Sequence, residues 1–270
     1  MVLPVHDVNP HRRVPVVNYA LILINVVVFL FSPVSHIAPT SDGSAAQQCR
    51  TVAFFDRYAA KPDEVIHDRQ EPTVATGRTG VDPSTGEAGC VVGRPTYDKS
   101  PILSVLFAMF LHGGWAHLLG NMLFLYVFGD NVEDRLGRLR YLLFYLGAGF
   151  AATYGFSAFD PSSTAPLVGA SGAIAGVLGA YLVLFPKARV WSLLTFLFFL
   201  PVRLPAWLVL GSWFVLQYLY FRGAGLTGSG VAYGAHVVGF VVGVLLALPL
   251  RGSGRDRRIA DPRFGPYARR

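Results

Sequence analysis

Six apolar stretches, near residues 15–32, 114–130, 140–158, 170–186, 203–221 and 231–250, set the first constraint on this chain. Crossing a hydrocarbon core of about 30 Å takes about 20 helical residues. In lipid, backbone N–H and C=O groups find partners only inside helices or a closed barrel, so runs of this length predict α-helices. A soluble domain would also carry about a quarter of its residues as charges, whereas 14% of these 270 residues are charged and 53% are apolar. The expected fold is an all-α membrane protein. Its six transmembrane helices occupy residues 15–250, with a long first extracytoplasmic loop at residues 33–113. The first stretch lacks a small-residue cleavage site followed by a soluble mature domain, which favours a retained helix over a removed signal peptide.

The formal charge of +7 is unevenly distributed. Residues 251–270 hold seven arginines against Asp256 and Asp261. Arg12 and Arg13 precede the first stretch, Arg135, Arg138 and Arg140 separate the second from the third, and Lys187 and Arg189 follow the fourth. By the positive-inside rule, residues 1–14 and the basic tail at 251–270 are expected in the cytoplasm of a multi-pass cell-membrane protein. A basic tail of this kind suits topology and anionic-lipid contact, so no nucleic-acid partner is expected.

Cys49 and Cys90 are the only cysteines, and both fall in the loop expected outside. An oxidising compartment permits a disulfide between them, which would tie down the loop and take no part in catalysis. Within that loop "PTSDGSAAQQ" and "ATGRTGVDPSTGEAG" read as flexible polar segments, and "TVAFFDRYAAKPDEVI" as either a short amphipathic helix or a hairpin. Residues 102–111 are apolar but too short to span, which suits a segment dipping into the outer interface. No tandem or inverted repeat is visible, which argues against a transporter built on internal symmetry.

Polar side chains in lipid are costly, and those retained usually face the bundle interior and serve a function. His112, His117 and Asn121 lie in and before the second stretch, Ser171 in the fourth and His236 in the sixth, while no Asp or Glu occurs between Pro161 and Arg255. His117 and Asn121 are four apart, so a helix stacks them on one face. Gly172 and Gly176 form a GxxxG pair beside Ser171, and Gly239 and Gly243 share the face of His236, the spacing that lets two helix backbones approach closely. Gly169 stands in the turn before the serine.

A serine hydroxyl is a weak nucleophile until a base takes its proton, and imidazole suits that task near neutral pH. With no carboxylate available to orient the ring, a Ser171/His236 dyad held by packing is expected. Asn121 and His117 are candidate donors to an oxyanion, with the backbone N–H of Ser171 as a third. Neither a metal nor a cofactor is expected.

"GASGAIAG" around the serine, "AHVVGFVVG" around the histidine, "FLHGGWAHLLGNMLFLYVFGDNVEDRLG" and "LPAWLVLGSWFVLQ" together resemble the rhomboid intramembrane serine proteases, and "RYAAKPDEV" in the outer loop is similar to bacterial members. The resemblance covers about residues 15–250. It implies a rhomboid-like six-helix bundle whose serine lies below the outer surface in a water-filled cavity and cleaves transmembrane helices of other membrane proteins. Position by position it makes Ser171 the nucleophile, His236 the general base, and His117 and Asn121 the oxyanion donors, with Glu133 and Arg135 in a structural turn. Two departures stand out: Ala175 occupies the place where many relatives stack an aromatic ring on the histidine, and "YDKSPILSVLF" replaces a frequent Trp-Arg pair.

Two other classes compete with the protease. One is a non-proteolytic membrane-helix binder or chaperone on the same fold. The other is a haem or metal carrier using His112, His117 and His236, against which the five-residue gap between the first two counts.

Overall fold

The computed structural model describes residues 2–9, 12–36, 44–81, 86, 88–195, 198–224 and 231–251. Each of the six apolar stretches contains a helix: α1 (Val16–Leu30), α5 (Trp115–Leu136), α6 (Arg138–Ser157), α7 (Ser171–Leu184), α8 (Ala206–Ala224) and α9 (Tyr233–Ala247). Among the described residues, Tyr233–Leu250 is the helix long and apolar enough to cross a membrane on length and composition, while α1 and α7 are shorter apolar helices. Between α1 and α5 lie α2 (Ala45–Tyr58), α3 (Pro62–His67) and α4 (Pro101–Ala108). The ambiguous "TVAFFDRYAAKPDEVI" is therefore helical, broken at Ala59, where the backbone turns extended, and restarted by Pro62 at the first helical turn.

The expectation of an all-α chain needs correction, because the described residues include two sheets. At one end β1 (Val2–Asp7) pairs antiparallel with β4 (Arg189–Leu194), and β4 pairs with β5 (Leu200–Pro205). The fifth apolar stretch thus begins as a strand and becomes helix only at Ala206. At the other end β2 (Val74–Val81) and β3 (Ala88–Gly93) form an antiparallel hairpin within a segment expected to be flexible. Composition misled here: a Gly- and Thr-rich hairpin reads as a linker until its partners are known, since what pairs it is packing on α2 and the Cys49–Cys90 disulfide, with Cα atoms 5.3 Å apart. The basic tail expected at 251–270 lies, beyond Arg251, outside the described residues.

Helix α7 is the hub. Gly172 through Tyr181 are all buried, and α5, α6, α8 and α9 pack around it. The outer helices expose large apolar side chains instead: Leu23, Ile24 and Val27 on α1, Val215 and Leu219 on α8, Val241, Leu245 and Leu246 on α9. Monomeric soluble proteins rarely gather exposed large apolar side chains into extended patches, and these helix faces suit lipid instead.

Buried polar contacts fix the helix ends where the strands of β1, β4 and β5 gather. Glu133 accepts hydrogen bonds from the backbone N–H groups of Val17 (3.1 Å) and Asn18 (2.7 Å), two of the first-turn donors that α1 cannot satisfy itself. Arg135 donates to the Leu250 carbonyl at 2.7 Å beyond the end of α9. Asn18, fully buried, donates to Leu125 O and accepts from the Tyr141 hydroxyl. Asp7 accepts from Tyr181 Oη (2.6 Å) and Asn131 Nδ2 (2.8 Å), joining β1 to α7 and α5.

Candidate active site

Ser171 is the first residue of α7, and the chain reaches it through a turn held from two sides. Leu167 N–H donates to Ala60 O at 2.7 Å, and Gly169 N–H donates to Ala108 O at 2.9 Å, so the segment after α2 and the end of α4 both brace it. Gly169 has φ +117°, a left-handed conformation that side chains rarely adopt. A Cβ there would also come within 2.7 Å of His117 Nε2. Glycine is thus needed both for the turn and for the close approach of the His117 imidazole.

The seam between α7 and α9 is built on backbone contact. A Cβ at Gly239 would overlap the Gly172 carbonyl, one at Gly243 the Gly176 carbonyl, and one at Gly179 the Phe240 carbonyl. Gly172 and Gly176 in turn abut Ala152 and Ala148 of α6 on their other side. Only hydrogen atoms at these positions allow the two helices to run so close.

That proximity brings Ser171 and His236 together: His236 Nε2 lies 2.8 Å from Ser171 Oγ, across 65 residues of chain. His117 stands one turn above Asn121 on α5. Its Nδ1 accepts from Gly113 N–H at 3.4 Å, which leaves Nε2, toward Gly169, as the protonated nitrogen of the neutral ring. Asn121 is buried, and its Nδ2 has no acceptor among the described residues. The first turn of α7 has no side-chain cap, so its amide N–H groups open toward the same region. His112 is buried with its ring centroid 5.1 Å from that of His117, edge to face, an aromatic contact between the two rings.

Two residues of α8 complete the surroundings of His236, and neither was among the polar residues singled out from sequence. Gln217 Oε1 is 2.7 Å from His236 Nδ1. Trp213 lies one helical turn before it, with ring centroid 6.0 Å from the imidazole and planes inclined by 32°. Tyr233 meets the ring edge-on at 6.1 Å. The ring is therefore flanked from α8 and α9 and not from position 175, where Ala175 is fully buried in the α7 core. A signal was available: Trp213 and Gln217 are four apart in an apolar run where Gln217 is the lone amide.

Comparison with known proteins covers the same elements. Residues 99–253, from the approach to α4 to the end of α9, match the rhomboid domain. The chain is 33% identical over 150 residues to rhomboid protein 1, mitochondrial, of Saccharomyces cerevisiae, covering 53% of this chain and 40% of the relative. It is 26% identical over 190 residues to RHOMBOID-like protein 6, mitochondrial, of Arabidopsis thaliana, covering 68% and 58%. Against rhomboid protease GluP of Bacillus subtilis the figures are 32% over 160 residues, 58% of this chain and 28% of the relative. The chain thus spans 28–58% of the length of these relatives. Organellar and bacterial relatives both match, so the expected restriction to a bacterial type does not hold. With more than half its length matched, including Ser171, His236, His117 and Asn121, the chain belongs to the rhomboid family of helical membrane proteins.

Proposed function

We propose that this protein is an intramembrane serine endopeptidase that cleaves transmembrane segments of other membrane proteins. The observation that carries the reading is the 2.8 Å contact between His236 Nε2 and Ser171 Oγ at the end of a buried helix. Ser171 is the nucleophile and His236 the general base. As Oγ bonds to the scissile carbonyl carbon, its proton passes to Nε2, and the same nitrogen then protonates the leaving amine as the C–N bond breaks; water next attacks the acyl carbon, giving a proton to Nε2, and that proton returns to Oγ as the acyl–Oγ bond breaks. His117 Nε2–H, Asn121 Nδ2 and the open amides of α7 donate to the oxyanion. The buried Asn121 amide supports this, since an unpaired donor costs about 1–3 kcal/mol, a cost recovered when an acceptor arrives with the substrate.

Six crossings fit the helix order. The ends that meet at β1, β4 and β5 carry Arg13, Arg138, Lys187 and Arg189, whereas the opposite end carries the Cys49–Cys90 disulfide and Ser171. The basic end is cytoplasmic, with both termini, and the disulfide end faces an oxidising compartment across the cell membrane. With 14 residues, α7 extends about 21 Å at 1.5 Å per residue, well short of a core of about 30 Å. Ser171 then lies beneath the outer surface, within reach of a substrate helix that has unwound locally. The Gly169 turn and Ala170 leave room for a small side chain before the scissile bond.

The test is cleavage of a model single-pass substrate in proteoliposomes, with labelling of Ser171 by a fluorophosphonate. Wild type should cut and be labelled, and Ser171→Ala should do neither. A helix-binding protein would retain the substrate in both forms and cut it in neither.

A further inference from the structure

The imidazole of a serine hydrolase must present an unprotonated Nε2 to the hydroxyl, and in water-exposed enzymes a carboxylate at Nδ1 secures that tautomer. Here no acid lies between Pro161 and Arg255. What faces Nδ1 is an amide oxygen, Gln217 Oε1, at 2.7 Å. An oxygen acceptor at Nδ1 requires the proton on Nδ1 and leaves Nε2 free to accept from Ser171. The opposite amide orientation would place the proton on Nε2 and block transfer from the serine.

The placement of Gln217 is not that of an incidental polar residue. Its neighbours on α8, Val215, Leu216, Tyr218 and Leu219, are exposed, whereas Gln217 is 8% exposed and points inward. An amide buried among apolar groups is unfavourable unless bonded, and its bonding partner here is the histidine beside the serine. Trp213, four residues earlier, flanks the same imidazole, so one face of α8 supplies both a hydrogen bond and a ring contact to His236.

Resting on the protease reading above, we propose that Gln217 is a positioning residue that holds His236 in the Nδ1–H tautomer with Nε2 directed at Ser171. During acyl transfer the Ser171 proton moves to Nε2, the imidazolium keeps its Nδ1–H bonded to Gln217 Oε1, and the amide itself neither gains nor loses a proton. When Nε2–H passes to the leaving amine, the ring returns to its starting tautomer without turning over. An amide supplies orientation without a full charge.

The experiment combines wild type, Gln217→Leu and Gln217→Glu, purified in detergent and assayed on the model single-pass substrate across pH. Gln217→Leu should lose about 10- to 100-fold in kcat with KM within about twofold, a fraction of the loss seen when an acid-held tautomer is released. Gln217→Glu should recover most of kcat and move the acid limb of kcat/KM upward by about one pH unit or more, because a carboxylate at Nδ1 favours the imidazolium. A role confined to joining α8 to α9 predicts otherwise: activity and melting temperature fall together in Gln217→Leu, and the pH profile of Gln217→Glu stays in place. Either result overturns the proposal. If Gln217→Leu does not fold, nitrogen-15 NMR of histidine-labelled wild type decides, since Nδ1 must carry the proton and Nε2 must not; the reverse pattern overturns it. Absence of cleavage and of fluorophosphonate labelling in wild type rejects the protease reading itself. Full wild-type activity with unchanged kcat in folded Gln217→Leu rejects only the role of Gln217.

Discussion

Gly243 of α9 packs directly on the Gly176 carbonyl of α7, leaving no room for a Cβ. Gly239 repeats the contact one turn nearer the site, on the Gly172 carbonyl. The obstructing atoms are backbone, which cannot rotate away, so a side chain at either position must push the helices apart.

Gly243→Ala and Gly239→Ala are accordingly expected to destabilise the bundle by about 1–3 kcal/mol, the usual cost of overpacking. Because Gly239 and His236 share a helix face, Gly239→Ala should also lengthen the contact with Ser171 and depress kcat more than Gly243→Ala does. Thermal melts in detergent and single-turnover cleavage separate the two effects. Equal melts with undiminished cleavage in both variants would refute the close-contact account.

Asn121→Leu removes a donor whose amide has no acceptor among the described residues, so stability should hold or rise slightly. If Asn121 donates to the oxyanion, kcat should fall by about 10²–10³ with little change in KM. His117→Ala should lower kcat in the same way, but it also removes the partner of Gly113 N–H and the ring against His112 and is expected to cost stability. Cleavage kinetics paired with denaturation of each variant distinguish these outcomes.

The disulfide closes 41 residues of chain between α2 and β3. A loop of that length corresponds to about 4 kcal/mol on the chain-entropy model, and commonly less is realised. Cys49→Ser with Cys90→Ser should therefore loosen this unit first, seen as faster hydrogen exchange in Val74–Val81 and Ala88–Gly93. The helix core should be less affected, because Lys99 still reaches Glu64 at 2.5 Å and the Asp56 carbonyl at 2.9 Å within that unit. Burial draws the Lys99 ammonium below its ordinary pKa, against the pull of Glu64. Glu64→Gln would remove that pull and should weaken the seat of the Ala60–Leu167 contact that braces the Ser171 turn.

Asp7 sets a pH dependence at the opposite end. Burial raises its carboxyl from 3.8 to about 7, with the Tyr181 hydroxyl acting against the rise and Asp130 adding to it. Between those two values the folded chain holds a proton that the unfolded chain has released, so stability falls as pH increases from about 4 to about 7 and is level above. The full difference is on the order of 4 kcal/mol. Asp7→Asn keeps an oxygen acceptor for Tyr181 and Asn131 and removes the charge. It should melt higher than wild type at pH 8, with a flatter dependence of melting temperature on pH. A lower melt at pH 8 would show that the Asp7 carboxylate is stabilising.

The positions of the six principal helices were legible because apolar runs are local: hydrophobicity and backbone satisfaction act over about 20 consecutive residues and need no knowledge of the rest of the chain. The glycine spacings at 172, 176, 239 and 243 were legible for the same reason, since helical periodicity places them on a face before any partner is known. The strands escaped. Val2–Asp7 becomes a strand because Arg189–Leu194, far along the chain, offers it an edge, and Val74–Val81 pairs with Ala88–Gly93 against α2 and a disulfide.

From the sequence alone came a membrane-embedded bundle, a short inventory of polar side chains within it, and Ser171 and His236 as the pair proposed to react. Tertiary structure alone decided what surrounds that pair. Nothing local to Gln217 marks its partner as His236, 19 residues later on another helix, nor Trp213 as the ring beside the imidazole in place of a side chain at Ala175. A hydrogen bond of 2.7 Å depends on how α8 is rotated against α9, and that rotation is set by all the packing around α7 at once.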